Sequence, residues 1–500
     1  MMLLLLLGCQ PPQSTATSAA AVPPGLVIAH TNDLHAHFLP EPAPWLDGSP
    51  AIGGFEAIDA HLRALRQGGD VLYLDAGDVL TGTPLMEFSD RGVEGGAMLS
   101  FLDVVGCEGF VLGNHEFDRG LEHTAQLVAA SPLPVLSANL QDSSGAPLFD
   151  GLLPSTVYEV SGVRVGVIGL TTPSLARLTT GETASRIRIL RPEDAAAPLI
   201  ETLAVDADIL VALTHLGIEG DRALAEAVPE LDLIIGGHSH SSIHPSEKVG
   251  NTWIVQAGSY GRQLGVLRVT LEDGRIAVLD SALKDLTLGD LPVSPGAAVT
   301  ALSEKWQGAI EARYGRQLGQ VSDDILRGEG ESPMGRLAAA IIRQAAGADV
   351  GIMNAGGLRS DLLSGGLTVG DLYEVFPFSN EIVTFQVSGE HLVRMLLRSV
   401  ARHRAAHAPL QLAGVQYSWR LRLDAPELVS ATVSGTALDL DATYTIATNS
   451  YVAEQWKYNL GVEPDAVSLT GITVLDAAVS YAEATVLTSS RQPSAVQQVE

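Results

Sequence analysis

Five short segments of the chain place residues of metal-ligating types beside a glycine or at the end of an apolar run. The segments are residues 33–35, 77–78, 113–115, 214–215 and 237–240. They supply carboxylates, imidazoles and one amide, which bind divalent ions such as zinc, manganese, iron, cobalt or magnesium without selecting among them. Each segment alone is usually a simple turn or a structural histidine, but the joint pattern predicts a site for two ions that share one carboxylate. The seven candidate ligands are Asp33, His35, Asp78, Asn114, His215, His238 and His240.

Apolar runs precede all five segments and predict where these side chains lie. The runs are residues 26–29, 71–74, 110–112, 209–213 and 233–235. Short runs of Val, Ile and Leu bounded by Gly or Asp are typical of buried strands. Helical stretches at 54–66 and 122–130 alternate with them, which favours a layered and largely parallel α/β sheet. Ligands bind beyond the carboxyl ends of the strands in such sheets, and all five segments follow a strand in this way.

The spacing of the candidate ligands favours phosphoester hydrolysis. Asp33 and His35 are two residues apart, so both can bind one ion from the same side of an extended turn. Asp78 has two carboxylate oxygens and can bridge two ions, whereas Asn114 offers a neutral oxygen that leaves the metal charge intact. Two ions ~3.5–4 Å apart can share a hydroxide nucleophile and hold a phosphate for in-line displacement. We therefore expect attack on phosphorus by a metal-bound hydroxide.

Longer motifs around these residues resemble those of the calcineurin-like metallophosphoesterases. The resemblance is to their 5′-nucleotidase branch, which includes bacterial UDP-sugar hydrolases and 2′,3′-cyclic-nucleotide phosphodiesterases. It implies an α/β fold in which a four-layer metallophosphoesterase β-sandwich, flanked by helices, is joined by a helix to a smaller α/β substrate-binding domain. The motifs are HTNDLHAHF, LDAGDVLTGTP, LGNHEFD, THLG, GGHSH and QAGSYG in the first half and NAGGLRSDLLSGGLTVGDLYEVFPFSN in the second.

The resemblance divides the ligands between two ions and adds a catalytic pair. It implies that His115 and Asp118 form a catalytic dyad. From the residues alone, His115 adjoins Asn114 and so lies near a bound phosphate, and Asp118 can accept a ring N–H. The alternative for Asp118 is an N-cap of the helix that follows it. By the same resemblance, one ion is held by Asp33, His35, Asp78 and His240, and the other by Asp78, Asn114, His215 and His238.

The second half of the chain is similar to a nucleotide-recognition domain. By resemblance, Asn354, Gly357 and Arg359 contact the nucleotide, and Phe378 and Tyr451 form the two walls of a clamp for the base. Independently of the family, the glycines at 356–357 let the backbone approach a ligand closely, and Arg359 can pair with a phosphate. Two aromatic residues beside a proline, as in residues 376–378, are more often part of a core.

The chain departs from the family pattern in two places. The family usually continues from the second aromatic residue into a Gly-Gly-Asp-Gly turn whose aspartate contacts the nucleoside, whereas this chain has Glu454-Gln455-Trp456-Lys457-Tyr458. We expect Trp456 or Tyr458 to be able to stack on a ring, and Lys457 to favour a more anionic ligand. An arginine that commonly precedes a Glu-Ser pair is also absent, since Gly330 stands before Glu331. The reaction class is therefore better defined than the substrate.

The length and motif order predict two domains with flanking segments. We expect a signal and tether at 1–24, a catalytic domain at 25–290, a linker helix at 291–317, a substrate-binding domain at 318–490 and a tail at 491–500. The leader contains a Leu-Leu-Gly-Cys sequence that ends at Cys9, which is typical of a lipoprotein processing site, with a plain signal peptide as the alternative. No later stretch approaches the ~18 continuous apolar residues of a membrane span.

The charge and cysteine count limit the partners. The 30 basic and 58 acidic residues give a net charge of −28, which disfavours nucleic-acid polymers. If Cys9 carries a lipid, Cys107 has no partner for a disulfide. We expect an exported protein, periplasmic or at the cell surface, that contacts the membrane only through this lipid and is a monomer, with a dimer as the alternative.

The predicted function is metal-dependent hydrolysis of extracytoplasmic nucleotides, of the 5′-nucleotidase or UDP-sugar hydrolase type. One alternative is a relative that acts on 2′,3′-cyclic nucleotides or is a thiosulfohydrolase. Another, from a different class, is a metal-dependent nucleotide-binding protein without turnover.

Overall fold

The computed structural model describes residues 25–272, 275–405, 408–489 and 494–499. The predicted signal and tether, with Cys9, lie outside these residues. Alternating apolar strands and amphipathic helices place the seven candidate ligands in the N-terminal half, where two β-sheets pack face to face.

The first sheet has seven strands, of which five run parallel to one another. Three of these five come from the apolar runs at 26–29, 71–74 and 110–112. The strand at 26–31 pairs in parallel with the strand at 71–75 on one side and antiparallel with the strand at 263–272 on the other. The order across the sheet is Leu152–Leu153, Val135–Leu136, Gly109–Val111, Val71–Asp75, Leu26–Thr31, Gln263–Glu272 and Arg275–Asp285.

The second sheet has six strands. Its four central strands run parallel, and an antiparallel strand closes each edge. The order is Ser155–Val160, Val163–Thr171, Ile209–His215, Leu233–Ile235, Thr252–Val255 and Glu247–Val249.

Three apolar cores make this half a four-layer structure. Ile28, Leu74 and Val111 of the first sheet pack with Val211 and Leu213 of the second in the space between the sheets. Three helices cover the outer face of the first sheet, and two cover that of the second. The predicted four-layer sandwich is thereby confirmed. The helices are Phe55–Arg66, Gly96–Val104 and Leu121–Ala130 on the first side, and Pro192–Leu203 and Ile218–Ala227 on the second.

The helix Ala297–Tyr314 connects the two halves. Val299 and Trp306 are buried in the core of the N-terminal half, whereas the ring of Tyr314 lies 5.5 Å from that of Tyr373 in the C-terminal half. The sequence places the helix within 291–317. The structure ends it at Tyr314, and Gln317 already begins the strand Gln317–Val321.

The C-terminal half contains a five-stranded mixed sheet and a four-stranded sheet. Helices Pro333–Ala346, Val369–Val375, Gly389–Arg404 and Val474–Ala484 pack against them. The five-stranded order is Leu410–Ala413, Val350–Asn354, Thr443–Asn449, Glu381–Ser388 and Asp465–Thr473. The four-stranded order is Thr436–Ala437, Ala425–Val433, Val415–Arg422 and Val496–Gln498, so that part of the expected tail is a strand.

Shorter elements complete the described chain. Two-stranded pairs join 41–42 with 51–52, 89–90 with 93–94, 140–141 with 188–189, and 317–321 with 365–368. Short helices are Leu175–Leu178, Gly181–Arg186, Ser450–Glu454 and Trp456–Asn459, with single 3₁₀ turns at Pro84–Glu87, His115–Phe117, Leu288–Asp290 and Ala355–Gly357. Among the described residues, every helix is too short or too polar to cross a bilayer.

Candidate metal centre and active site

The seven candidate ligands come together at the carboxyl ends of parallel strands from both sheets. Asp33 and His35 follow the strand Leu26–Thr31, and Asp78 follows the strand Val71–Asp75. Asn114 follows Gly109–Val111, His215 ends Ile209–His215, and the two remaining histidines follow Leu233–Ile235. The carboxyl ends of the parallel strands of both sheets lie at this edge, so side chains that are distant in sequence face one another.

The ligand atoms form two adjoining clusters. Asp33, His35 and His240 offer atoms that lie within 4.8 Å of one another, and so do Asp78, His215 and His238. Asp78 lies between the clusters, since its Oδ2 is 3.0 Å from His215 Nε2 and 4.0 Å from His35 Nε2. This is the position from which one carboxylate can serve two ions.

The backbone at most of these ligands has an unusual conformation. Asp33, His35, Asp78, His238 and His240 all have φ between 48° and 81°, in the left-handed region that non-glycine residues seldom adopt. Such strain is retained where the surrounding structure imposes it, commonly at functional sites. Close packing contributes here, because a Cβ on Gly113 would lie 2.2 Å from Asp78 Oδ1.

The hydrogen bonds around the imidazoles leave nitrogens free for metal ions. His35 Nδ1 lies 3.0 Å from the Thr81 carbonyl oxygen, and His215 Nδ1 lies 2.7 Å from the Ala76 carbonyl oxygen. Each Nδ1–H therefore donates to its carbonyl, and the lone pair of each ring is on Nε2. Within the described structure, His215 Nε2 and the side-chain oxygen of Asn114 are buried without a hydrogen-bond partner. These orphaned atoms, with two carboxylates beside them, fit a pair of divalent cations.

Electrostatics keep the shared carboxylate ionised. Burial alone would raise the pKa of Asp78, but the imidazoles of His215 and His115 hold it well below its usual value. An ionised carboxylate has lone pairs on both oxygens for two ions.

His115 and Asp118 form a hydrogen-bonded pair beside this cluster. His115 Nδ1 lies 2.7 Å from Asp118 Oδ2, and the main-chain N–H of His115 donates to Asp78 Oδ1 at 2.8 Å. Burial alone lowers the pKa of His115, but the carboxylates of Asp118 and Asp78 raise it above its usual value. The alternative role for Asp118 is not observed, because the next helix begins at Leu121 with Gly120 as its N-cap.

Glu116 supports the centre but is absent from the sequence-based site. Its buried carboxylate accepts main-chain N–H groups of Asp78 at 3.2 Å, Val79 at 2.9 Å, Leu80 at 3.2 Å and Gly113 at 2.7 Å. It therefore joins the turn that carries Asp78 to the turn that carries Asn114. Its place inside the LGNHEFD motif was the available signal.

Two buried amides hold the remaining ligand turns. Gln256 Oε1 accepts from Ser239 Oγ at 2.9 Å, and Gln256 Nε2 donates to the Gly237 carbonyl at 3.0 Å, which fixes the loop of His238 and His240. Asn32 Nδ2 donates to Asp33 Oδ2 at 2.7 Å and to the Gly258 carbonyl at 2.6 Å. Their only sequence signal is their position in the HTNDLHAHF and QAGSYG motifs.

A cavity of about 490 Å³ extends from these ligands between the two halves of the chain. The candidate nucleotide contacts Asn354, Gly357, Arg359, Phe378 and Tyr451 all line it, together with Asp78, Asn114, His115, Asp118, His238 and His240. Phe378 is partly buried and its ring lies 5.8 Å from that of His115, whereas Phe376 is a core residue. The structure therefore brings every candidate substrate residue to the same cavity as the candidate metal centre.

Arg359 carries positive charge into this cavity. Its Nη2 lies 3.1 Å from His35 Nε2, and its Nε is buried without a partner in the described structure. Arg327 does not replace the family arginine in the cavity, since its Nη1 donates to the Arg359 carbonyl at 2.6 Å and its Nε contacts Asp361. Arg327 thus supports the backbone of Arg359.

The segment that departs from the family pattern, residues 454–458, lies only partly at the cavity. Glu454 lines the cavity, but Trp456, Lys457 and Tyr458 are not among its lining residues in the described structure. Trp456 packs against the apolar core that contains Phe385 and Leu396. Arg402 Cζ lies 3.8 Å from the centroid of the Tyr458 ring. The expectation that these rings and Lys457 contact a ligand is therefore not supported by their positions, because the two rings pack on the C-terminal half and Lys457 is exposed outside the cavity.

Comparisons with known proteins identify the family of each half of the chain. Residues 26–242 match the family described as calcineurin-like phosphoesterase, and residues 317–458 match the 5′-nucleotidase C-terminal domain. A 5′-nucleotidase of Vibrio cholerae is 27% identical over 484 residues, which cover 86% of this chain and 84% of that protein. Protein UshA of Escherichia coli is 26% identical over 485 residues, covering 86% and 85%.

Solved structures share the whole architecture. A 5′-nucleotidase precursor from Thermus thermophilus superposes with a TM-score of 0.83 at 25% identity, covering 95% of this chain and 99% of that one. A sulfate thiohydrolase, SoxB, from the same organism superposes with a TM-score of 0.79 at 20% identity, covering 98% of both chains, and shows the shared fold alone.

Proposed function

The chain belongs to the calcineurin-like metallophosphoesterases that carry a 5′-nucleotidase C-terminal domain, and from this premise we propose that it releases phosphate from nucleoside 5′-monophosphates and related nucleotides. The family makes it a metal-dependent phosphoester hydrolase. The observation that carries the substrate class is that one cavity joins the metal-ligand clusters to Phe378 and Tyr451. In a nucleotide bound there, the phosphate would lie at the metal-ligand clusters and the base would lie against the two aromatic rings.

The ligand set proposed for the metals is the one expected from the sequence. Asp33, His35, Asp78 and His240 would hold one divalent ion, and Asp78, Asn114, His215 and His238 the other. Divalent ions bound there would polarise the phosphate and lower the pKa of a bound water. The two buried orphaned atoms, His215 Nε2 and Asn114 Oδ1, support this assignment.

The side chains around the ligands have separate tasks in this proposal. Asp118 accepts the Nδ1 proton of His115 at 2.7 Å, which orients the ring and keeps its second nitrogen available to the cavity. A proton on that nitrogen would stabilise negative charge on the phosphoryl oxygens or on the leaving oxygen. Arg359 would bind the phosphate as a charged, forked donor.

The C-terminal half would bind the nucleoside. Phe378 and Tyr451 offer ring faces for the base, and the glycines at 356–357 let the backbone approach the ribose or phosphate. Asn449 supports both sides of this region, since its Nδ2 donates to Asn354 Oδ1 at 2.8 Å and its Oδ1 caps the helix Ser450–Glu454.

The proposal is tested with the purified full-length protein by measuring phosphate release from the monoesters and, for UDP-glucose and 2′,3′-cyclic AMP, the monoester products by chromatography. Substrates are AMP, GMP, UDP-glucose, 2′,3′-cyclic AMP and p-nitrophenyl phosphate, each with Mn²⁺, with Zn²⁺ or with EDTA. We expect chelator-sensitive hydrolysis of the monophosphates. Turnover of the aryl phosphate without any nucleotide would refute the nucleoside assignment, and inactivity on all substrates with two metals bound would identify a binding protein.

The cellular location belongs to the proposal as well. The Leu-Leu-Gly-Cys sequence supports export and a lipid on Cys9, which lies outside the described residues. Metabolic labelling with a radioactive fatty acid should mark the wild-type protein but not the Cys9→Ser variant. An unlabelled wild-type protein would favour the plain signal peptide.

A further inference from the structure

One wall of the cavity is formed where two segments from different halves of the chain meet. Tyr451 Oη donates to the Arg177 carbonyl at 3.1 Å, and Gln455 Nε2 donates to the Thr179 carbonyl at 2.9 Å. Glu454 lies between Tyr451 and Gln455 in the chain, three positions after Tyr451 on the short helix Ser450–Glu454. These contacts fix Glu454 next to Tyr451, which is one of the two candidate walls for the base.

Glu454 is the acidic group of this cavity that the phosphate chemistry does not use. Three carboxylates line the cavity within the described residues, namely Asp78, Asp118 and Glu454. Asp78 lies among the metal-type imidazoles, and Asp118 is bonded to His115. Only Glu454 lies in the wall that also contains Tyr451 and the polar groups of Ser450 and Thr180.

A carboxylate in a binding wall selects for hydrogen-bond donors. An ionised carboxyl group has about four acceptor sites and no donor. Guanine presents an N–H and an adjacent amino group, which match two carboxylate oxygens. Hypoxanthine lacks the amino group, and uracil flanks its N–H with carbonyl oxygens that a carboxylate repels.

We propose that Glu454 is a specificity-determining residue that favours nucleotides whose base carries adjacent N–H donors, with guanine the best match. The proposal rests on the proposed nucleotidase function and gives that site a base preference. It also accounts for a chain that lacks the family's Gly-Gly-Asp-Gly turn, because Glu454 supplies a carboxylate to the cavity from an earlier position.

The test compares two substrates that differ only in the exocyclic amine. kcat/KM is measured for GMP and IMP with the Mn²⁺-loaded full-length protein and with Glu454→Gln. A site built for a donor rejects the analogue that lacks it, so we expect the wild type to prefer GMP by roughly 10-fold or more. Glutamine has nearly the same size and Glu454 is exposed, so the fold should be kept, while the ratio should fall to about 3-fold or less because one carboxylate acceptor is replaced by an amide donor. A wild-type ratio near one, or a ratio unchanged in Glu454→Gln, would overturn the proposal.

A neighbouring variant and a binding measurement separate this inference from its premise. Lys457→Gln changes an exposed residue of the same segment that does not line the cavity, and should leave the GMP to IMP ratio unchanged. Calorimetry with guanosine and inosine needs no phosphate chemistry. Tighter binding of guanosine by a protein that releases no phosphate would refute the proposed hydrolysis but retain the base preference. Equal hydrolysis of GMP and IMP would support the proposed hydrolysis but refute the base preference.

Discussion

Arg359 in the C-terminal half contacts His35 in the N-terminal half, with Nη2 3.1 Å from Nε2. The Nδ1 of His35 donates to the Thr81 carbonyl, so the lone pair on Nε2 accepts from the guanidinium. A metal ion at His35 would need the same lone pair. The hydrogen bond and metal binding are therefore alternatives, and an occupied metal site would leave Arg359 free to bind an anion in the cavity.

Replacing Arg359 with alanine should affect substrate and metal in opposite directions. A hydrogen bond between charged groups contributes about 1.5–3 kcal/mol, so we expect kcat/KM for a nucleoside monophosphate to fall by roughly 10- to 150-fold. The affinity for Mn²⁺ should stay the same or rise, because a competing hydrogen bond and a nearby positive charge are both removed. Steady-state kinetics and calorimetric metal titration measure the two effects.

Lysine at this position is the matched control. Arg359→Lys keeps the charge but loses the forked donor, and should recover only part of the lost kcat/KM. A variant whose kcat/KM equals that of the wild type would show that Arg359 does not bind the phosphate.

The His115–Asp118 pair predicts a graded loss of turnover. His115→Ala removes the proton donor beside the phosphate and should lower kcat by roughly 10²-fold or more. Asp118→Asn keeps the size of the side chain but weakens the bond to Nδ1, and should cost less. Metal content, measured on the same samples by mass spectrometry, should be unchanged in both variants. A protein that only binds nucleotides would have no kcat to lose.

Glu116 should be needed for metal affinity although it binds no metal. Its carboxylate receives four main-chain N–H groups from the turns that carry Asp78 and Asn114. In Glu116→Gln, an amide N–H₂ would face these donors, so we expect the affinity for Mn²⁺ to fall by roughly 10- to 100-fold. Glu122→Gln, on the exposed face of the helix Leu121–Ala130, is the control and should not change it. Equal metal affinity in the two variants would assign Glu116 a purely structural role.

The sequence predicted the fold and the meeting place of the candidate ligands for a simple physical reason. Short Val-, Ile- and Leu-rich runs bounded by Gly or Asp are typical of buried strands, and parallel strands bring their carboxyl ends to one edge. Asp33 and His215 are far apart in the chain, but each lies at the carboxyl end of such a strand, so this rule predicts that they meet. Their assignment as metal ligands remains a prediction that metal titration can test.

The parts that escaped prediction depend on long-range geometry. The left-handed backbone at His238 is not specified by its residue type, because histidine is enriched in this region but seldom adopts it. Glu116 also reads as an ordinary polar residue until its four donors are seen together. In the segment after Tyr451, the direction of each side chain depends on two short helices, which point Glu454 into the cavity and Trp456 into the core.

Asp221 predicts how stability should change with pH. The residue is fully buried in the helix Ile218–Ala227, and Thr214 Oγ1 donates to its Oδ1 at 2.6 Å. Its Oδ2 has no hydrogen-bond partner in the described structure. Burial raises the pKa of Asp221 to about 7, so the folded protein prefers the protonated form.

The sign of this effect follows from linkage. A carboxyl group whose pKa is higher in the folded state contributes stability below its unfolded pKa and loses it as pH rises through the folded pKa. We therefore expect the stabilising contribution of Asp221 to decline between about pH 4 and pH 7. Over this range the melting temperature of Asp221→Asn should fall less, or rise more, than that of the wild type, because asparagine does not titrate. Differential scanning calorimetry of the metal-free protein measures the slope, with Glu219→Gln on the same helix as the exposed control. A slope that is identical in Asp221→Asn and the wild type would mean that Asp221 does not change its protonation on unfolding.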